Sequence, residues 1–461
     1  MSRPRAAVIR ELVAEDLAAP SASALVGDDR REYARQQIFA HLDRIVGEEG
    51  DRGTPSDLDD EQRLAQSVLD ALFGMGGLQV LIDDEEIENI DINGCDRVWA
   101  TFADGSKRLM PAIADSDEEL IDIVRSAASR YGLSERRFDL ARPELDLRLP
   151  DGSRLSALMA VAARPSVSIR RHRYADLSLG DLEELGTVNE DLASFLSAAV
   201  KARKNIVVSG AMNSGKTTLL RALAAEIAPR ERIVTIEQAF ELGLDSAHDR
   251  HPDMVALEAR PANIEGEGLI AVADLVRRAL RMNADRVIVG EVLGDEVLPM
   301  LNAMSQGRSG SMCTIHADSS AGVFRRIASY AVQAPERLPL EASNLLIAGA
   351  IHFVVHLDSS MHDGRAATGG HPPVVSPWPG DQLEPPVPDH HFPSVSTRLR
   401  FVSSIREVVD AEGVQVVSNE IFRPGTDRRA VPASPLRSET LGELREFGYQ
   451  PSSADVYGML A

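Results

Sequence analysis

The sequence predicts an α/β protein in which a parallel sheet carries a phosphate-binding loop, preceded by a smaller α+β domain. Three observations lead to this class. Residues 205–220 read NIVVSGAMNSGKTTLL, a β-branched run followed by a Gly-x-x-x-x-Gly-Lys-Thr loop and the start of a helix. Over 188–358, apolar strand-like segments alternate with amphipathic helical ones, which favours a parallel sheet. Over 75–172, short strand-like segments with Asn-Gly and Asp-Gly turns flank one amphipathic helix.

Ahead of the α+β domain, residues 1–74 are predicted to form a helical extension. Apolar residues at helical spacing predict a helix over 29–46 and a second over 60–73, separated by a polar Gly/Pro/Asp break. Between the two domains, the charged stretch 173–187 is predicted to be a hinge linker. Asn189 is placed to cap the first helix of the α/β domain.

The chain changes character after residue 358. Residues 359–393 are rich in Pro, Gly, His and Asp, and this composition predicts a disordered or loosely held insertion. Residues 394–461 are expected to form a C-terminal hairpin, over 395–405 and 414–422, and a short helix.

Composition and charge narrow the classes of function. The 461 residues include 49 Lys and Arg against 71 Asp and Glu, and the net charge of −22 argues against general nucleic-acid binding. Cys95 and Cys313 have neither disulfide-framework nor zinc-like spacing, so a reducing cytoplasm fits them. The longest apolar run, 345–357, contains two histidines and is too short to span a bilayer. A cytoplasmic protein that reaches a membrane only through partners is therefore expected.

The glycine-rich loop is the strongest sign of function. Its glycines allow backbone amides to wrap around a phosphate, and the following helix directs its N-terminus at the same anion. Lys216 can reach the outer phosphates of ATP and the Thr217 hydroxyl can ligate Mg²⁺. The alternative is an ordinary Gly-rich turn between a strand and a helix. The predicted nucleotide-binding residues of the loop are Gly210, Ala211, Met212, Asn213, Ser214, Gly215, Lys216, Thr217 and Thr218.

Two acids and a histidine at strand ends complete the predicted catalytic set with Lys216. Glu291 follows an apolar strand, where a carboxylate can polarise a water in line with the γ-phosphate. Glu237 ends another strand and could hold Mg²⁺ through water or orient the nucleophile. His316 could donate to the γ-phosphate and sense its presence. The alternative for each is a solvated or merely structural residue at a strand end.

Arginines form the last candidate set. Guanidinium groups from a mobile domain can clamp phosphate charge and so link the nucleotide state to the angle between domains. Any one of them could equally be an ordinary surface arginine. The predicted nucleotide-binding arginines are Arg170, Arg171 and Arg260, and further candidates around the hairpin of the first domain are Arg142, Arg148 and Arg154.

Taken in order, these stretches resemble the type II/type IV secretion and pilus-assembly ATPases, above all the CpaF-like branch that drives Tad pilus systems. The resemblance covers roughly residues 75–357. The stretches that carry it are ARPELDLRLPDGSRLSAL, SVSIRRH, LSLGDLEELGTV, the phosphate loop, RIVTIEQAFEL, LEARPANIEGEG, LRMNADRVIVGEV and GSMCTIHADS.

The resemblance implies a cytoplasmic homo-hexameric ring in which each N-terminal domain moves over a RecA-like P-loop ATPase domain. ATP hydrolysis with Mg²⁺ would drive that motion, which the family passes to inner-membrane platform proteins. The residues that match its functional positions are Lys216 and Thr217 as the Walker A residues, Glu237 and Glu241 as the Asp box, Glu291 as the catalytic glutamate, His316 as the His box, and Arg170 and Arg171 as the phosphate-facing pair.

The pattern around the nucleotide departs from the family at several positions. Met212 and Asn213 replace the usual Thr and Gly, and Asn tolerates the left-handed backbone that the loop requires. Gln238, Leu293 and Arg308 replace an Asp, an Arg and a His. Two competing functions stay open: a DNA-translocating or conjugation ATPase of related fold, and a regulator that binds ATP but barely hydrolyses it.

Overall fold

The chain folds into two compact units, Met1–Arg173 and Tyr174–Ala461, each with its own hydrophobic core. A computed structural model of the protein describes residues 5–20, 22, 24–25, 27–50, 58–102, 105–132, 137–171, 177–262, 266–305, 309–363 and 396–451.

Three helices open the first unit: α1 (Arg5–Ala18), α2 (Gly27–Gly50) and α3 (Leu58–Phe73). Helix α1 is not one of the two helices that the sequence predicts. Its apolar residues nevertheless recur every four positions, as one face of a helix requires. These helices share a small core of buried residues: Ile9, Val13, Leu17, Ala34, Ile38, Leu42, Ala65, Val68 and Leu69.

Within the described ranges, no single helix has the length and apolar character needed to cross a membrane. The helices Glu61–Phe73 and Gly76–Asp83 meet that requirement only as a pair, bent by 114°, and by length and composition alone.

An α+β fold follows in the same unit. Its elements are α4 (Gln79–Asp83), β1 (Ile87–Asn93), β2 (Val98–Phe102), β3 (Lys107–Met110), α5 (Asp117–Tyr131), β4 (Glu144–Arg148), β5 (Arg154–Leu158) and β6 (Ser166–Arg170). The strands form one antiparallel sheet in the order β3-β2-β1-β6-β5-β4. Ser116 caps α5 by accepting from the Glu119 amide, and the helix buries Leu120 and Val124 in the core of this domain.

The second unit alternates helices and strands before ending in a hairpin. Its elements are α6 (Leu179–Glu184), α7 (Glu190–Lys201), β7 (Ile206–Gly210), α8 (Lys216–Ala225), β8 (Ile233–Glu237), β9 (Met254–Glu258), α9 (Val272–Ala279), β10 (Arg286–Val292), α10 (Val297–Ser305), β11 (Met312–His316), α11 (Gly322–Gln333), α12 (Leu340–Ala350), β12 (Phe353–Asp363), β13 (Ser396–Glu412), β14 (Gln415–Pro424), β15 (Ala430–Pro432) and α13 (Ser438–Glu446).

One nine-stranded sheet runs through this unit in the order β15-β14-β13-β12-β7-β11-β10-β8-β9. The six strands from β12 to β9 are parallel, and β13, β14 and β15 join antiparallel. Strands β7 and β8 are buried along their whole length, as expected of a sheet covered on both faces. The predicted α/β class, with an α+β domain ahead of it, is confirmed.

The structure differs from the predicted linker 173–187 over its second half. Ser178 and Asp181 form a capping box that starts α6, and Leu179 and Leu182 are buried in the core of the second unit. Residues 177–187 therefore belong to that unit, because two leucines at helical spacing bury more apolar surface than a solvated linker would. Residues 173–176 of the predicted linker lie outside the described residues.

The C-terminal part differs as well. The predicted insertion 359–393 begins inside β12, which continues to Asp363, and the remainder of that insertion lies outside the described residues. The predicted C-terminal hairpin does not stand alone: β13 pairs with β12 over eleven residue pairs and so extends the main sheet. This pairing satisfies the backbone groups that the edge of β12 would otherwise expose. Strand β9, also unpredicted, covers the opposite edge beside β8.

Asn205 joins three parts of the sheet region just before β7. Its side-chain Oδ1 accepts from the amides of Gly310 and Ser311 at 2.8 and 3.0 Å, and its Nδ2 donates to the carbonyls of Met304 and Ala350. Its backbone amide donates to His352 Nδ1 at 3.0 Å. All four hydrogen-bonding positions of this fully buried amide are thereby used.

His352 should make the protein less stable in mild acid. Burial, followed by repulsion from Lys204, lowers its pKa from 6.5 to about 4, so the folded protein keeps it neutral. A lowered histidine pKa gives stability that is fully present above pH 6.5 and is lost as the pH falls towards 4, by about 3 kcal/mol. We expect His352→Asn, which can still accept from the Asn205 amide, to lose less thermal stability between pH 7 and 4.5 than the wild type. Parallel pH profiles for the two proteins would contradict this.

Candidate nucleotide-binding site

The loop between β7 and α8 has the backbone geometry of an anion cradle. Gly215 has φ +92° and Asn213 has φ +59°, so the Asn at this unusual position does adopt the left-handed conformation expected of it. A Cβ on Gly210 would lie 2.4 Å from Ser214 Oγ and 2.6 Å from the Leu357 carbonyl oxygen, which excludes any larger residue. The loop is held tightly where it leaves the strand, and its amides precede the N-terminus of α8.

Three predicted catalytic residues lie in one chain of close polar contacts. Lys216 Nζ donates to the Ala211 carbonyl at 2.9 Å and to His316 Nδ1 at 3.1 Å. His316 Nε2 lies 2.7 Å from Glu291 Oε1. Because the lysine donates to Nδ1, the ring carries its proton on Nε2, the nitrogen that faces the glutamate.

The sheet topology explains why these residues meet. In the parallel register His316 of β11 is opposite Gly210 of β7, and Val292 of β10 is opposite Ile315 of β11. The carboxyl ends of β7, β10 and β11 therefore lie at one edge of the sheet. This places Lys216, which follows β7, close to His316 and Glu291. Lys216 is buried, whereas the side chains of His316 and Glu291 are 33% and 36% exposed, so water can reach the carboxylate.

Glu237 lies deeper than the other predicted catalytic residues. Its Oε2 accepts from the amides of Glu241 and Leu242 at 2.8 and 2.7 Å, and the residue is 4% exposed. Burial raises its pKa to about 7 although both amide bonds favour the ionised form. A Cβ on Gly290 would lie 2.9 Å from Glu237 Cγ, so the acid packs directly beside the residue that precedes Glu291.

The residues present fit a Mg²⁺ ion that is bound together with phosphate. Thr217, whose hydroxyl can ligate Mg²⁺, lies half-buried in the first turn of α8 next to Lys216. Glu237 ends β8, which β11 and β10 separate from β7. Across the described ranges, no group of three or more His, Cys, Asp or Glu side chains could hold a metal alone. Mg²⁺ suits such a site, because it is usually bound by one or two protein oxygens, waters and substrate phosphates.

The three arginines predicted to bind nucleotide lie in different surroundings. Arg170 is exposed at the end of β6, and Arg171 Nη1 donates to the Asp84 carbonyl at 2.5 Å within the first unit. Arg260 follows β9 and donates through Nε to the Gly268 carbonyl at 2.8 Å, which closes its own loop. The phosphate-binding role of these three arginines stays a prediction.

Two residues at the site were not predicted from the sequence. Glu296 is buried and accepts through Oε1 from the amides of Leu293 and Gly294, which fixes the turn after Glu291. An acid two residues after a glycine is a weak turn signal that could have been used. Arg400 of β13 donates through Nε to the Asn213 carbonyl at 3.0 Å. No local pattern in the sequence marks this contact.

The departures Gln238 and Leu293 are both solvent-exposed, Leu293 at 53%. The chain Lys216–His316–Glu291 does not involve either of them. Arg308 lies outside the described residues.

Comparisons with known proteins show which family the chain resembles. The sequence profile of the family described as Type II/IV secretion system protein matches residues 74–375. A putative conjugal transfer protein of Mycobacterium tuberculosis is 35% identical over 295 residues, covering 62% of this chain and 80% of that protein. The type IV secretion system protein PtlH of Bordetella pertussis is 30% identical over 340 residues, covering 68% and 96%. The crystal structure of the VirB11 ATPase from the Brucella suis type IV secretion system is 28% identical, covers 66% of this chain and 94% of its own, and has a TM-score of 0.33.

Proposed function

The chain belongs to the Type II/IV secretion system protein family, and on that basis we propose that it is an ATP-hydrolysing motor of a secretion or pilus-assembly system. The observation that carries the proposal is the chain of close polar contacts Lys216–His316–Glu291 at the phosphate loop. It brings a phosphate-binding cation and a water-accessible carboxylate to the same edge of the sheet, which hydrolysis of a phosphoanhydride requires.

In the proposed reaction each residue has one task. Lys216 and the loop amides stabilise negative charge on the transferring phosphoryl group. Glu291 orients the attacking water and accepts its proton. His316 lies between Lys216 and Glu291, with Nδ1 facing the lysine and Nε2 facing the carboxylate. Through this ring, phosphate binding at Lys216 changes the electrostatic environment of Glu291. Mg²⁺, held by Thr217 and through water by Glu237, would neutralise phosphate charge.

The finer form of the proposal is a CpaF-like motor that works as a homo-hexamer. Rotation between the two compact units of each subunit would deliver the mechanical output to inner-membrane platform proteins, with the chain itself at the cytoplasmic face. Arg170, Arg171 and Arg260 are the proposed additional phosphate contacts. The support is the family membership, together with the CpaF-like stretches from ARPELDLRLPDG to GSMCTIHADS.

DNA transfer is the second candidate. One relative carries the description conjugal transfer protein, which favours it. The net charge of −22 opposes it, since a motor that tracks a phosphate backbone gains affinity from basic surface.

Measuring the native mass of the purified chain with and without MgATP tests the assembly. We expect MgATP to produce a species of six times the 49.9 kDa chain mass. Lys216→Ala, which removes the phosphate-binding cation, should reduce the nucleotide-dependent fraction. A chain that stays monomeric at micromolar concentration with saturating MgATP would contradict the hexamer. Stimulation of turnover by single- or double-stranded DNA would move the assignment to the second candidate.

A further inference from the structure

One guanidinium of the C-terminal hairpin lies on the phosphate loop. Arg400 Nε donates to the Asn213 carbonyl at 3.0 Å, and a Cβ built on Gly215 would lie 3.3 Å from Arg400 Cδ. The side chain therefore crosses the loop between its two left-handed residues, Asn213 and Gly215. In sequence it is 187 residues away from the carbonyl that it contacts.

Strand β13, which carries Arg400, is fixed beside the phosphate loop through its pairing with β12. Strand β12 pairs with β7 up to Gly210 and then continues past the start of the loop, where Ser359 is opposite Arg400 of β13. Phe401 and Val402, which follow the arginine, are almost fully buried. The arginine is thus held by the sheet itself and not by a surface loop.

The same strand is also tied to the segment that follows His316. Ser404 Oγ donates to Ser320 Oγ at 2.9 Å, and Arg406 Nε donates to the same hydroxyl at 3.2 Å. Both serines are buried. Strand β13 therefore contacts the phosphate loop through Arg400 and the segment after the catalytic histidine through Ser404 and Arg406.

The chemistry of Arg400 points to a phosphate ligand. Among the contacts made by the described residues, its Nε is the donor in use, and the terminal Nη1 and Nη2 remain for a ligand beside the loop. A guanidinium binds two phosphate oxygens at once through these parallel donors, and it keeps its charge at any physiological pH. The loop that it crosses is the anion cradle described above, with Lys216 at its far end.

We propose that Arg400 is a phosphate-binding residue of the nucleotide site, supplied by the C-terminal hairpin through β13. Its Nε stays on the Asn213 carbonyl and sets the direction of the guanidinium, while Nη1 and Nη2 contact the phosphates of the bound nucleotide. The inference rests on the proposed function, since it assigns a ligand to the same site. By this assignment β13 is part of the nucleotide site, whereas the sequence predicts a separate C-terminal hairpin.

Isothermal titration of the full chain with MgATPγS, a slowly hydrolysed ATP analogue, tests this assignment. Arg400→Ala should raise Kd about 10- to 100-fold, because charge-assisted hydrogen bonds to phosphate are lost. Arg400→Lys keeps the charge and should lose only about threefold. Arg400→Gln can still donate to the Asn213 carbonyl but carries no charge, so it should bind as weakly as Arg400→Ala. Arg423→Ala, an exposed arginine on the neighbouring β14, is the matched control and should leave Kd unchanged.

The order of the variants separates a phosphate contact from a role in holding the loop. Binding by Arg400→Gln that equals or exceeds that of Arg400→Lys would overturn the phosphate contact, because only a hydrogen bond to the loop would then matter. Wild-type affinity in Arg400→Ala would overturn it as well, as would an equal loss in Arg423→Ala. Failure of the wild type to bind MgATPγS would overturn the proposed function together with this inference. Thermal unfolding of each variant without nucleotide should match the wild type, and a large drop in Arg400→Ala alone would assign the arginine to the fold.

Discussion

Replacing Glu291 with Gln should abolish ATP hydrolysis and leave ATP binding nearly unchanged. The carboxylate is partly exposed and its Oε1 lies 2.7 Å from His316 Nε2. Glutamine has nearly the same size and keeps an oxygen beside His316, so the substitution removes the negative charge and the proton-accepting ability alone. Loss of a general base of this kind lowers kcat by about 10²- to 10⁴-fold.

The measurement for this variant is phosphate release at saturating MgATP, with Kd for MgATPγS determined in parallel. Glu446→Gln, an exposed acid on α13, is the control for loss of one surface charge and should turn over as the wild type does. If Glu291→Gln hydrolyses ATP at the normal rate, Glu291 does not activate the water and the assignment fails. If it also loses binding, the glutamate holds the site together and does not act as the base.

Replacing Asn205 with Ala should cause the largest loss of stability among the substitutions considered. The side chain makes four hydrogen bonds, to the backbone of Met304, Gly310, Ser311 and Ala350. Alanine removes the Asn205 partner from all four buried backbone groups, and each hydrogen bond lost from such a group costs about 1–3 kcal/mol. We expect the free energy of unfolding to fall by about 4 kcal/mol or more. This is near the lower end of the summed costs, because local rearrangement relieves part of them.

Thermal or urea unfolding, followed by circular dichroism, measures this loss. Asn189→Ala removes a comparable amide that only caps α7, with Oδ1 accepting from the Leu192 amide at 2.9 Å. That control should cost about 1 kcal/mol. Equal losses in the two variants would mean that the Asn205 network does not hold β7 against β11 and β12.

Local sequence was sufficient for the phosphate loop and for the meeting of Lys216, His316 and Glu291. The loop has a short, specific pattern, and in a parallel sheet the residues at strand ends are brought to one edge whatever the order of the strands. The depth of Glu237 could not be predicted in the same way. Its burial and its bonds to the Glu241 and Leu242 amides depend on how the chain turns after β8.

Contacts between residues that are far apart in the sequence cannot be predicted from local patterns. The four partners of the Asn205 side chain lie 99 to 145 residues away, and Arg400 is 187 residues from Asn213. The charged stretch 173–187 predicts a linker, whereas the burial of Leu179 and Leu182 in α6 depends on the core of the second unit. The sequence predicts the strands of the C-terminal hairpin, but the sheet edge that they cover follows from pairing with β12.

We propose that this chain hydrolyses ATP at the Lys216–His316–Glu291 site. Inorganic phosphate release from MgATP by the purified chain tests this, with Lys216→Ala assayed in parallel to define the background. We predict sustained turnover in the wild type that is lost in Lys216→Ala and in Glu291→Gln. Wild-type phosphate release no higher than that of Lys216→Ala, in a preparation that binds MgATPγS, would contradict the claim and identify the chain as a nucleotide-binding regulator.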